Sequence, residues 1–255
     1  MTLFDPDPKL RWLFCMTHPD DEISICCWIR RLTAAGNEVF ISWTHATPSR
    51  EREARTVANL LGVPQERLRF FGAQDGRVAE SISELQGPYT EWIGAVAPDR
   101  VCCGAFEQGH LDHDATNYLV HRSFSGSILE VPFYHAYLSR VQRINRFADP
   151  AGEQVLDLSP EERRFKRAMI RRYPSTNVRS VLNSYEVWQT LRLRPAGLVR
   201  TERLRLQTHT DFRTPNLPEP LARWVMLSDA WRRWLRAMDL AERAEPARLA
   251  EGTVP

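Results

Sequence analysis

The chain has 255 residues, 43% of them hydrophobic, with a formal net charge of +2. That length suits one compact domain or a domain with an appendage, and the near-neutral charge argues against a broad nucleic-acid surface. The five cysteines form no CxxC pair, no leader pattern opens the chain, and no apolar run approaches the roughly 20 residues that span a bilayer, so a cytoplasmic protein is expected.

In chain order, the sequence predicts a buried strand over residues 12–17 and a helix over 23–35 that stops at Gly36. A second strand follows over 39–44. A helix over 48–61 has Thr47 as its cap, Pro48 at its first position and Gly62 at its end. A short strand over 68–71, a helix over 81–96, a strand over 100–105, a helix over 114–124 and a strand over 128–134 complete the alternation. Such alternation gives an α/β, Rossmann-like parallel sheet with helices on both faces, and strand order 3-2-1-4-5 is expected. Beyond residue 137 the alternation stops. Ser159-Pro160-Glu161-Glu162 is a capping box that opens a helix, residues 179–214 read as irregular, and 221–238 as one strong helix. The tail 244–255 reads as frayed. The expected organisation is a core over residues 1–180 and a mainly helical C-terminal extension, packed on the core, over 181–255.

Two polar clusters carry the chemistry. His18-Pro19-Asp20-Asp21-Glu22 follows the first strand, and His110-Leu111-Asp112-His113 follows the fourth. In the expected order those two strands are neighbours at the ligand crevice. His18, Asp21 and His113 supply two imidazoles and a carboxylate, a donor set suited to zinc and related divalent ions, with one coordination position left open. Asp20 beside that site can act as general base, His110 as proton donor or oxyanion partner, and Asp112 can orient a histidine. Together these parts compose a metal-assisted amide hydrolase.

The same residues resemble the LmbE/PIG-L family of zinc-dependent N-acetylglucosaminyl deacetylases. Arg50-x-x-Glu53-Ala54-Arg55 with Leu61-Gly62, the stretch from Phe71 to Asp75-Gly76, and Leu156 through Tyr173-Pro174-Ser175-Thr176 look like further parts of that family. The resemblance covers residues 11–136 best, with little to match beyond 180. It implies metal ligands at His18, Asp21 and His113, a base at Asp20, an acid or oxyanion partner at His110 and a supporting aspartate at Asp112. It also implies Arg50 as a contact to substrate hydroxyl or phosphate groups. Thr17 and Leu111 depart from the family pattern without removing a functional group.

The expected reaction is therefore removal of an N-acetyl or other N-acyl group from an amino sugar or its conjugate. The expected cofactor is Zn2+, with Fe2+, Co2+ or Mn2+ as alternatives. The expected partner is a small N-acylated amino sugar or glycoconjugate, not nucleic acid and not a membrane span. The rival readings are an amidase acting on a thiol-sugar or natural-product conjugate and a non-catalytic metal-binding module. Glu107 and His135 are added as substrate contacts. Glu22 reads as a first-turn residue favoured by the helix dipole, Glu53 as the partner of an arginine on its own helix, and His45, His121 and His209 as ordinary polar histidines. Trp188, Trp224, Trp231 and Trp234, at helical spacing, read as core, and the paired arginines as solvated faces.

Overall fold

The computed structural model describes residues 2–7, 9–137, 141–193 and 197–251, and the side chains of 134–142 and 245–251 lie outside that description. Strand β1 (Arg11–Met16) is central. It runs parallel to β2 (Glu38–His45) on one side and to β4 (Arg100–Gly104) on the other. Strand β3 (Leu68–Ala73) lies outside β2 and β5 (Ile128–Val131) outside β4, both parallel, so the order 3-2-1-4-5 is as the sequence predicts.

Both faces of this sheet are covered, which is why its strands read as continuous apolar runs. Trp12, Phe14 and Met16 point to one side, where they meet α1 (Cys26–Ala34), α2 (Pro48–Leu60) and α5 (Pro160–Ile170). Leu13 and Cys15 point to the other side, against α3 (Ile82–Val96), α4 (Leu111–Ser123) and α8 (Asp229–Glu251). The Ser159 capping box at α5 forms as expected, with Glu162 and Ser159 satisfying each other's backbone.

Several expectations need correction. The stretch read as irregular holds α6 (Val178–Leu191) and strand β9 (Thr201–Leu206), which pairs antiparallel with β5 and with β8 (Gln154–Asp157) to complete a seven-stranded sheet. Its sequence, Thr-Glu-Arg-Leu-Arg-Leu, disguises a strand because Glu202 and Arg205 are buried and paired with opposite charges. The fifth strand stops at Val131, and β6 (Tyr134–Tyr137) turns away to form a separate hairpin with β7 (Val141–Ile144). The single helix expected over 221–238 is two, α7 (Glu219–Met226) and α8, divided where the Ser228 hydroxyl caps the Trp231 N–H at 3.1 Å. The frayed tail is helical as far as Glu251. Finally, Trp231 and Trp234 are core, but Trp188 and Trp224 are 57% and 59% exposed. Among the described residues, no helix is long and apolar enough to cross a membrane.

Candidate metal centre

Strand order reverses between β1 and β4, so the chain segments leaving these strands flank an open crevice. The segment after β1 is folded by Asp21, whose Oδ2 accepts the backbone N–H of Thr17 at 3.1 Å and of His18 at 2.8 Å. The segment after β4 is folded by Asp114, whose Oδ1 accepts from Glu107 N and Gln108 N. His110 then caps α4, its Nδ1 accepting the Asp112 N–H at 3.3 Å. The helix starts three residues earlier than the sequence suggests, so His113 sits in its first turn.

These two turns bring the predicted donors together. His18 Nδ1 and His113 Nε2 are 3.3 Å apart, and Asp21 approaches His113 Nε2 at 3.5 Å and His18 Nδ1 at 3.8 Å. Donors about 2.0–2.1 Å from a tetrahedral zinc stand ~3.3 Å from one another, so this spacing fits a divalent ion. Two ring nitrogens facing each other at this distance also need a cation or a shared proton between them. The residues therefore fit the metal that the sequence calls for.

On the far side of the His18 ring, Asp112 Oδ2 lies 3.3 Å from Nε2. The same carboxylate accepts Gly76 N–H at 2.7 Å and Val78 N–H at 3.1 Å, so α4 is tied to the exit of β3. Asp112 thus favours a proton on Nε2 and a lone pair on Nδ1, the nitrogen turned to His113 and Asp21. The tether also delivers Asp75, which the sequence reading did not count as a site residue. Asp75 Oδ1 is 3.3 Å from His18 Nε2, and Oδ2 is 3.1 Å from an Arg50 guanidinium nitrogen. His45, read as an ordinary histidine, stands one ring away, with centroids 5.7 Å apart, and its Nδ1 meets the Ala73 carbonyl at 2.7 Å.

Asp20 adopts φ 121°, a left-handed conformation that costs a non-glycine residue about 1–3 kcal/mol. Glu22 helps hold it there. This residue is fully buried, accepts the Asp20 N–H at 3.2 Å and Trp43 Nε1–H at 3.1 Å, and takes a hydrogen bond from the Tyr173 hydroxyl. Glu22 lies in the first turn of a 3-10 helix, Asp21–Ile25, as the sequence suggests, and there it also serves as an internal anchor. Thr176 lies close enough to the Asp20 carboxyl to favour its charged form. Glu53, expected to pair with an arginine on its own helix, instead accepts Ser175 N–H at 3.1 Å, so residues 173–176 clamp this turn. The motif Tyr173-Pro174-Ser175-Thr176 was visible in the sequence; its contact with Asp20 was not.

The electrostatics divide the site. Burial, with Asp21 and Glu22 close by, pushes the Asp20 carboxyl up to about 8. Burial acts in the same direction on Asp21, but His113 and His18 outweigh it and hold that carboxyl down at about 2. Burial alone would lower His18, yet Asp112, Asp75 and Asp21 raise it to about 10 without metal. Burial and two neighbouring histidines depress His110 to about 4, which leaves it neutral at pH 7.

His18, Asp20, Asp21, Arg50, Asp75, His110 and His113 line one end of a cavity of about 370 Å³. The lining also includes the apolar side chains of Ile144, Ile170, Val178, Val181, Leu182 and Leu198. Glu107 does not reach it: the carboxylate is fully buried, 3.0 Å from an Arg205 guanidinium nitrogen, and accepts the Ala148 N–H. The substrate contact expected of Glu107 is thereby corrected to an internal ion pair. The backbone of His135 belongs to β6, and its side chain lies outside the described residues.

A doubly covered, mostly parallel sheet with a His2Asp cluster at its topological switch defines a Rossmann-like α/β protein with a candidate metal site in its crevice. Residues 13–124 match the PIG-L family model, described as GlcNAc-PI de-N-acetylase. No curated protein sequence matches the chain. Among solved structures, it is similar to a deacetylase of the teicoplanin biosynthesis pathway (15% identity, TM-score 0.56, 79% of this chain and 99% of that one). It is also similar to the A40926 pseudoaglycone deacetylase Dbv21 (14%, 0.55, 80% and 99%) and to the conserved protein TT1542 from Thermus thermophilus (19%, 0.56, 83% and 98%). At these identities the likeness is one of fold.

Proposed function

We propose that the chain is a metal-dependent N-deacylase that hydrolyses an N-acetyl or related N-acyl group on an amino sugar or amino-sugar conjugate, giving a free amine and a carboxylate. The observation that carries this reading is the convergence of a His2Asp donor set with Asp20 and His110 at one end of one cavity. A site that only stores metal has no use for two proton carriers beside its ligands. The match of residues 13–124 to a de-N-acetylase family supports the same reading, as does the fold shared with the teicoplanin-pathway deacetylase and the A40926 pseudoaglycone deacetylase. Five buried, unpaired cysteines suit a reducing compartment such as the cytoplasm.

A divalent cation held by His18, Asp21 and His113 supplies Lewis-acid polarisation of the scissile carbonyl and acidifies the attacking water. Asp20 accepts the proton of that water on a carboxylate oxygen; burial raises this carboxyl in the metal-free site, and a cation bound beside it would favour the ionised form that a base needs. His110, neutral and with Nδ1 occupied by the Asp112 N–H, keeps its proton on Nε2. From there it hydrogen-bonds the carbonyl oxygen as negative charge develops, and the proton taken by Asp20 passes to the leaving nitrogen as the C–N bond breaks. Asp112 orients His18, and Arg50, steadied by Asp75, offers donors to sugar hydroxyl or phosphate groups. Zinc is the proposed ion, with Fe2+, Co2+ and Mn2+ as alternatives. One teicoplanin deacetylase structure is described as a zinc-inhibited form, which makes reconstitution with each ion part of the test.

The apolar residues in the cavity lining favour a second reading within the same chemistry: an acyl group longer than acetyl, or a natural-product conjugate. The test is carboxylate release from a panel of N-acetylated and longer N-acylated amino sugars and glycoconjugates, with metal-loaded protein and its Asp20→Ala variant. Release that falls about 10²–10⁴-fold in a variant that still binds metal is the expected result. Undiminished release from Asp20→Ala removes the base assignment, and no release from any member removes the deacylase reading for those substrates.

A further inference from the structure

A second concavity, of about 290 Å³, shares Ile170, Leu182 and Leu198 with the metal-centre cavity. Its rim is formed by Arg167 and Arg171 at the end of α5, Arg179 at the start of α6, and Arg200 ahead of β9. The spacing is what helix geometry requires. Arg167 and Arg171 are four apart and share a face with Ile170, while Arg179 shares one with Leu182 and Glu186.

Elsewhere in the molecule, guanidinium groups in contact with a carboxylate are common. Arg31 meets Glu162, Arg203 meets Glu153, Arg205 meets Glu107 and Glu130, and Arg213 meets Asp239 and Glu242. None of the four arginines around this concavity has a carboxylate within ion-pair distance among the described residues. The single carboxylate that lines it, Glu186, is turned to the backbone N–H groups of Gly197 and Leu198. Four cations around one hollow repel each other and lower the free energy of any anion that enters.

We propose that Arg167, Arg171, Arg179 and Arg200 form a binding site for the phosphoryl group of an organic phosphate. A phosphoryl group brings close to two negative charges and three strong acceptor oxygens, which suits several guanidinium groups around one hollow better than one carboxylate does. The hollow is larger than a phosphate ion, leaving room for the organic part. Its shared wall with the metal-centre cavity sets a bound phosphate beside the reaction cavity. The site does not depend on the deacylation proposed above, because binding can be measured without turnover.

The experiment is isothermal titration of the full chain at physiological salt with N-acetylglucosamine 1-phosphate, with N-acetylglucosamine and with inorganic phosphate. Wild type is compared with Arg171→Gln/Arg179→Gln and with a control, Arg223→Gln/Arg232→Gln, which removes the same charge from α7 and α8. All four of these arginines are exposed, and circular dichroism checks that each variant is folded. The expected result is that the site variant binds the sugar phosphate at least about tenfold more weakly than wild type, while the control binds as wild type does. Sugar phosphate binding well above inorganic phosphate assigns the group to a substrate or effector. Equal binding of the two assigns the site to free phosphate. Equal affinity in wild type and the site variant, or an equal loss in the control, overturns the proposal.

Discussion

Asp112 shows how much one side chain does at this site. It orients the His18 ring, and it holds the β3 exit loop through two backbone N–H groups. Replacing it by asparagine keeps the shape but weakens the acceptor for both tasks. Asp112→Asn should lower metal affinity about 10–100-fold, the usual cost of losing a partner behind a metal ligand, as read by competition with a chelator. Unchanged affinity would mean that His18 is held by packing alone. At this scale the sequence was most legible where chemistry and local spacing coincide. His18, Asp21 and His113 lie in two short motifs, and their roles follow from residue type. Asp75, Glu22 and Thr176 were missed because their neighbours are set by tertiary tethers. Asp75 depends on a bond between residues 76 and 112, and Glu22 on one between residues 22 and 173. No local pattern encodes either tether.

At the scale of elements, α1 has no cap of its own: Ile25 precedes it and offers no side-chain acceptor. Glu202 on β9 fills that role, accepting Cys27 N–H at 3.0 Å and Trp28 N–H at 2.8 Å while Lys166 bridges it to the Ser24 carbonyl. Lys166 and Glu202 are both buried. Glu202→Gln leaves the lysine charge uncompensated and should destabilise the fold by about 3–5 kcal/mol in urea titration. A loss below about 1 kcal/mol would show that water reaches the pair. The start of α5 gives a prediction in pH. Arg31 above all, with the Ser159 cap, holds the Glu162 carboxyl at about 2 against an ordinary 4.5. The carboxyl is lowered in the folded state, so its contribution is complete above pH 4.5 and is lost as pH falls towards 2. The stability gap between wild type and Glu162→Gln should therefore narrow from about pH 6 to about pH 3 in paired urea titrations. A constant gap would assign the effect to packing. The five parallel strands were readable because each is an apolar run between turn signals. Strand β9 was not, because what buries it is an exchange of charges with distant partners.

At the scale of the whole molecule, the metal centre belongs to both halves of the chain. Its three candidate donors, His18, Asp21 and His113, lie in the segments that follow β1 and β4, strands the sequence predicted in the right order. The groups that hold the first donor loop in shape are Tyr173, Thr176, Lys166 and Glu202. That arrangement has a consequence for the order in which the protein is made. The ligands leave the ribosome early, while the last anchor is translated some 90 residues after His113. At synthesis rates of roughly 5–20 residues per second this is a delay of about 5–20 s. During that interval the nascent chain carries every donor but lacks the clamp on residues 18–28. Chains stalled at residue 158 should bind metal far more weakly than chains stalled with β9 outside the exit tunnel, and equal uptake would show that the donor loops shape themselves. On that expectation, metal capture would be timed to the end of translation, and an unfinished polypeptide would not draw on the cell's metal pool.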